Sequence, residues 1–137
     1  MLVEDSPSDA ALTIEALQAG KIANNLNRVE DGVEAMAYLK QQGSFAKSPR
    51  PDLIMLDLNL PKKDGREVLR ELKSDPSLKL IPVIVLTTSK SDKDVLQSYE
   101  LRANCYIAKP VDFQQFIDVV KSIEHFWLSV VMLPPKA

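Results

Sequence analysis

Five side chains of this sequence carry the means for phosphoryl chemistry. They are Glu4 and Asp5, the Asp57 carboxylate inside LIMLDLNLPKKDG (residues 53–65), the Thr87 hydroxyl in IPVIVLTTS and the Lys109 ammonium in YIAKP. A carboxylate set in an apolar run is costly to bury unpaired, so Asp57 needs a partner or a task. Three carboxylates at one rim repel and raise one another's pKa unless a cation intervenes. Oxygen donors without imidazole or thiolate suit Mg2+, with Mn2+ as the alternative. A hydroxyl can donate to an anionic oxygen, and an ammonium can neutralise it. Together these meet the needs of in-line phosphoryl transfer to a carboxylate. Asp57 attacks, an aspartyl phosphate forms, and metal and Lys109 neutralise the equatorial oxygens.

Each residue also has a plainer role. Asp5 before Ser6-Pro7 suits a helix N-cap. Asp57 suits a strand-end acid satisfied by backbone N–H groups, and Thr87 an ordinary β-branched strand position. Lys109 suits a surface lysine before a proline. The joint reading depends on elements that bring the residues together.

The hydrophobic pattern supplies such elements. Strands are expected at residues 2–4, 25–30, 52–58, 82–86 and 105–108. Between them lie helical patterns: one after Ser6-Pro7 with Ala11, Ile14 and Leu17 on one side, one from Asp31-Gly32 carrying Val33, Met36, Ala37 and Leu39, then residues 65–72, 92–101 and 113–128. Alternating strands and helices predict an α/β fold, a parallel sheet with helices on both sides. Right-handed crossovers leave the two common doubly wound strand orders. In either, ligands sit outside the carboxyl ends of the strands. The residues ending strands one, three, four and five are those of the phosphoryl set.

Composition bounds the rest. The 137 residues suit one domain, expected as residues 1–128 with a tail at 129–137. A net charge of −2 offers no bulk electrostatic case for nucleic acid or an anionic membrane. No apolar run approaches the ~18 residues of a membrane span, and no basic-then-apolar leader opens the chain. The single cysteine, Cys105, cannot pair internally, which fits a cytoplasmic setting. Only Met1 to Glu4 precede Asp5, so a residue or more is expected upstream of Met1.

The ordered motifs VEDS, LIMLDLNLPKKDG, IPVIVLTTS and YIAKP resemble the receiver domain of two-component response regulators. The resemblance implies a flavodoxin-like (βα)5 fold with strand order 2-1-3-4-5. It implies Asp57 as phosphoacceptor and Asp5 as a direct metal ligand. Glu4 would act through water, and Asn59 would lend its backbone carbonyl to the metal. Thr87 and Lys109 would hold the phosphoryl group, Tyr106 would be the aromatic switch residue, and Lys109-Pro110 would carry a cis peptide bond. LNLPKKDGREVL, DGVEAMAYL, NCYIAKP and IEHFWLSVVMLP are similar to the stand-alone response regulators of cyanobacterial phytochromes. That likeness implies light signalling through a phytochrome-type sensor histidine kinase. Two departures stand out: Ala103-Asn104-Cys105 replaces the usual turn before the fifth strand, and Thr88 replaces a small residue beside the switch threonine.

No DNA-binding or catalytic segment follows within these residues, so output is expected through protein contact at the fourth helix, fifth strand and fifth helix. Phe116, Val120, Ile123 and Trp127 fit the sheet-facing stripe of the last helix. Val119, Phe126 and Val130 form a second apolar stripe, expected to pair two copies as a homodimer. The main rival is a receiver-like interaction module that works without phosphorylation. An aspartate-nucleophile phosphohydrolase would need an acid where Asn59 stands, and no glycine-rich nucleotide loop is present.

Overall fold

The computed structural model describes residues 1–20 and 25–135. Its strands are β1 (Leu2–Val3), β2 (Arg28–Val29), β3 (Ile54–Leu56), β4 (Val83–Thr87) and β5 (Cys105–Ala108). They alternate with α1 (Pro7–Ala19), α2 (Gly32–Leu39), α3 (Gly65–Ser74), α4 (Asp92–Glu100) and α5 (Phe113–His125). All strand pairs are parallel, in the order β2-β1-β3-β4-β5. This is the flavodoxin-like order implied by the motifs.

Successive strand residues face opposite sides of the sheet, and each side is covered. Ile54, Leu56, Val83 and Val85 pack with Met36, Leu39, Val68, Leu69 and Leu72 of α2 and α3. Met55, Ile84 and Leu86 pack with Ala10, Ala16 and Leu17 of α1 and Phe116, Val120 and Ile123 of α5. Each helix starts on a side-chain cap close behind a strand. Ser6, Asp31, Asp64, Ser91 and Asp112 each accept a backbone N–H of the first turn. These caps bring the helix N-termini, with their partial positive charge, to the carboxyl edge of the sheet.

Several local expectations shift. The paired parts of β1, β2 and β3 are shorter than the expected strands, and β2, an edge strand expected to be polar, pairs over Arg28–Val29 alone. In α1 the buried face is Ala10, Thr13, Ala16 and Leu17, while Ala11 is exposed and Ile14 half-buried. Thr13 can face inward because its hydroxyl donates to the Asp9 carbonyl at 2.8 Å and so is satisfied within the helix. In α2 Val33 points outward and Tyr38 is buried, its ring 5.5 Å from that of Phe45. The last helix is α-helical only to His125. Residues Phe126–Val130 form a π-helical turn, closed by Val131 N–H donating to the Phe126 carbonyl at 2.8 Å. The helical segment thus runs two residues into the expected tail, whose last two residues lie outside the described ones.

Candidate functional site: an acidic notch at the carboxyl edge

Strand register places the chemistry. Val3 is level with Leu56, and Leu56 with Val85, so Glu4 and Asp57 emerge side by side. Thr87 ends β4 opposite Ala108, which puts Lys109 one residue beyond. Backbone bonds carry the alignment past the strand ends: Asp57 N–H donates to the Val3 carbonyl at 3.1 Å and Lys109 N–H to the Thr87 carbonyl at 2.7 Å. Gly65 backs the site. A Cβ there would stand 2.3 Å from the Asp57 carbonyl oxygen and 2.6 Å from the Leu58 Cα, so only glycine allows α3 to start this close to β3.

Asp57 is buried and fully engaged. Its Oδ1 accepts from Thr87 Oγ1 at 2.8 Å and from the Asn59 N–H at 3.1 Å. Its Oδ2 accepts from Lys109 Nζ at 3.0 Å. Lys109 also donates to Glu4 Oε1 at 2.6 Å and to Asp9 Oδ2 at 2.9 Å. Glu4 Oε2 accepts the Ser6 N–H at 3.2 Å. Arg28 holds the strand end from the other side, donating twice to the Glu4 carbonyl. Asp5 is exposed at the mouth, and carboxylate oxygens of Glu4, Asp5 and Asp57 lie within 4.8 Å of one another.

Charge in the notch is unbalanced towards the negative. Burial pushes the Glu4 carboxyl up to about 7, the Lys109 ammonium pulls it down, and Asp57 adds to the rise. Burial works to lower the pKa of Lys109, but Glu4, Asp57 and Asp9 outweigh it and the ammonium is held charged. One cation among four carboxylates leaves room for another. The donor set, three carboxylates converging without nitrogen or sulfur, suits a hard divalent ion.

The remaining expected residues are placed as follows. Asn59 is exposed at the rim, next to the mouth that Asp5 lines. Tyr106 is half-buried, and its hydroxyl donates to the Ser89 carbonyl at 2.8 Å, tying β5 to the loop after β4. Thr88 is exposed, which keeps its bulk out of the buried part of the notch. Val119 is half-buried, whereas Phe126 and Val130 are more than half exposed. They stand apart from the notch, on α5 and the π-helical turn. One expectation is corrected: Lys109-Pro110 is trans, as are all peptide bonds among the described residues. An X–Pro amide still favours trans by roughly 0.5–1 kcal/mol, and the strand-end geometry here accepts it. Sequence reasoning passed over Asp9. It lies in the first turn of α1, four residues after Asp5, and the first turn of a helix behind an acid pair necessarily overlooks the same rim.

Fold and notch together define a class of protein. Residues 1–121 match the response regulator receiver domain, and the chain belongs to that family. It is related to the cyanobacterial phytochrome response regulators. Response regulator Rcp1 of Synechocystis sp. is 54% identical over 134 residues, covering 98% of this chain and 91% of that protein. The crystal structure of Mn2+-bound Rcp1 matches with a TM-score of 0.95 at 54% identity, over 98% of this chain and 96% of that one. The phosphorylated cyanobacterial phytochrome response regulator RcpA matches with a TM-score of 0.95 at 55% identity, over the same shares of the two chains.

Proposed function

We propose that Asp57 accepts a phosphoryl group from a phytochrome-type sensor histidine kinase in a Mg2+-dependent reaction. The observation that carries this reading is the buried Asp57 carboxylate, held by Thr87, Asn59 N–H and Lys109 while Glu4 and Asp5 converge beside it. These contacts fix the nucleophile in place. An Asp57 oxygen forms a bond to phosphorus, the bond from phosphorus to the donor's leaving atom breaks, and the leaving group departs with the electron pair. Asp5, Asp57 and the Asn59 carbonyl would hold the divalent ion, with Glu4 acting through water. The bound ion would neutralise charge on the transferring group. Lys109 neutralises a second side of it, and Thr87 turns its hydroxyl from Asp57 Oδ1 to a phosphoryl oxygen.

The signal is a population shift. The phosphoryl group adds roughly −1.5 to −2 charge and three acceptor oxygens. The conformation in which Thr87 and Lys109 both reach it gains population. Tyr106 follows Thr87, and the surface of α4, β5 and α5 reads the change. That surface is loosely anchored, since α4 buries only Ser98 and leaves Leu96 and Tyr99 exposed. Two copies pair there as a homodimer, with Val119, Phe126 and Val130 at the contact. The protein works in the cytoplasm, and its only chemistry is its own phosphorylation and dephosphorylation. Transfer of label from an autophosphorylated phytochrome kinase tests the reading. Label should appear on the wild-type chain and not on Asp57→Asn. Equal labelling of both would refute it, and labelling of neither would favour the phosphorylation-independent module.

A further inference from the structure

The Lys109 ammonium has three N–H groups, and all three are taken. Glu4, Asp57 and Asp9 each receive one, at 2.6, 3.0 and 2.9 Å. An ammonium has no further donors. A phosphoryl group on Asp57 presents three acceptor oxygens where Oδ2 presented one. For Lys109 to turn a second N–H towards it, another carboxylate must let go.

The three partners are not equally able to do so. Glu4 is buried and holds Lys109 by the shortest of the three bonds, at 2.6 Å, where no water can take the ammonium's place. Asp57 is the point of attachment. Asp9 is different on two counts. Its side chain is 28% exposed, so water can replace the ammonium. It also sits in the first turn of α1, just behind the Ser6 cap, where the helix N-terminus favours a negative charge without help from Lys109.

We propose that Asp9 is a positioning residue that tethers the Lys109 ammonium to α1 in the resting protein and yields it when a phosphoryl group occupies Asp57. This rests on the reading of Asp57 as phosphoacceptor. Asp9 then weakens the hold of the notch on the phosphoryl group. It competes for an N–H of Lys109, and it adds a carboxylate within reach of the same ammonium as the incoming anion. Neutralising it frees Lys109 for the phosphoryl oxygens.

The test is binding of beryllofluoride, a phosphoryl mimic, at saturating Mn2+, measured by calorimetry for wild type, Asp9→Asn and Asp9→Glu. Asp9→Asn should bind roughly threefold to thirtyfold more tightly, the scale of one charge-assisted hydrogen bond at a partly exposed site. Asp9→Glu keeps the charge and should stay near wild type. A second readout uses the metal-free protein: the Lys109 Nζ protons, followed by 15N NMR, should exchange with water faster in Asp9→Asn. A purely structural Asp9, one that only complements the N-terminus of α1, would lower the melting temperature and leave both readouts unmoved. Wild-type affinity or weaker in a folded Asp9→Asn overturns the tether while leaving Asp57 as acceptor. Failure of the wild type itself to bind overturns the acceptor reading, and the tether with it.

Discussion

Lys109 Nζ lies 3.0 Å from Asp57 Oδ2 although their strands are not neighbours. β3 and β5 are separated by β4, whose last residue is Thr87, so the lysine reaches past that strand to the carboxylate. The pair therefore exists only when three strands are in register at once. This is why motifs spread over most of the chain act as one site.

Replacing Lys109 by Met keeps the bulk and removes the charge. Glu4 and Asp57 are then left buried without their cation, which costs about 3 kcal/mol of stability in the absence of metal. Urea denaturation should show that loss, and millimolar Mg2+ should return part of it. Loss of this fixed charge beside the transferring group should slow phosphorylation by on the order of a hundredfold.

Glu4 sets a pH dependence in the metal-free protein. Burial raises its pKa to about 7 in the folded state, against an ordinary value of 4.5. Between those values the folded protein keeps a proton that the unfolded chain has released. The contribution of Glu4 to stability is therefore full below about 4.5 and is lost as pH rises through about 7. Urea midpoints in EDTA should fall across that window for this reason, by a few kcal/mol at most in free energy. Glu4→Gln should flatten the fall. An unchanged slope in Glu4→Gln would contradict the assignment.

Gly65→Ala should damage the site from behind. The new Cβ meets backbone atoms of Asp57 and Leu58, which cannot swing aside as a side chain would. A loss of about 2 kcal/mol or more is expected in thermal denaturation, with weaker beryllofluoride binding because Asp57 is displaced. A neutral Gly65→Ala would mean that α3 can shift without cost to the strand end.

Much of this was legible in the sequence for an identifiable reason. β5 occupies the expected residues 105–108, and β4 differs by one residue at each end, because an apolar run too short for a helix and bounded by turn residues reads as a strand. The convergence of Glu4, Asp5, Asp57, Thr87 and Lys109 followed from parallel pairing alone, since parallel strands present all their carboxyl ends at one edge. The misses are tertiary. The inward face of α1 is chosen by close packing of Ala10, Thr13 and Ala16 rather than by the most apolar residues. The π-helical turn after His125 and the trans Lys109-Pro110 bond depend on contacts and local energies that no spacing rule contains. Asp9 belongs to none of the motifs. Its bond to Lys109 is a contact between residues 100 apart in the chain.

The proposed homodimer predicts a charge effect at the π-helical turn that follows α5. Phe126 is 52% exposed and sits with Val119 and Trp127 along a groove against Cys105 and Ile107 of β5. Phe126→Asp places a charge on that apolar surface while sparing Phe116, Val120 and Ile123 in the core. Light scattering at tens of micromolar should show a dimer for the wild type and a monomer for the variant, with an unchanged circular dichroism spectrum. A wild-type monomer would remove the dimer from the account.

The central claim is that one carboxylate among the four in the notch becomes covalently phosphorylated. Intact-protein mass spectrometry after incubation with acetyl phosphate and Mg2+ tests it most directly. A single added phosphoryl group is expected on the wild type, lost on omitting the metal and absent from Asp57→Asn. A wild-type chain that gains no mass, or an Asp57→Asn chain that gains the same mass, would contradict it.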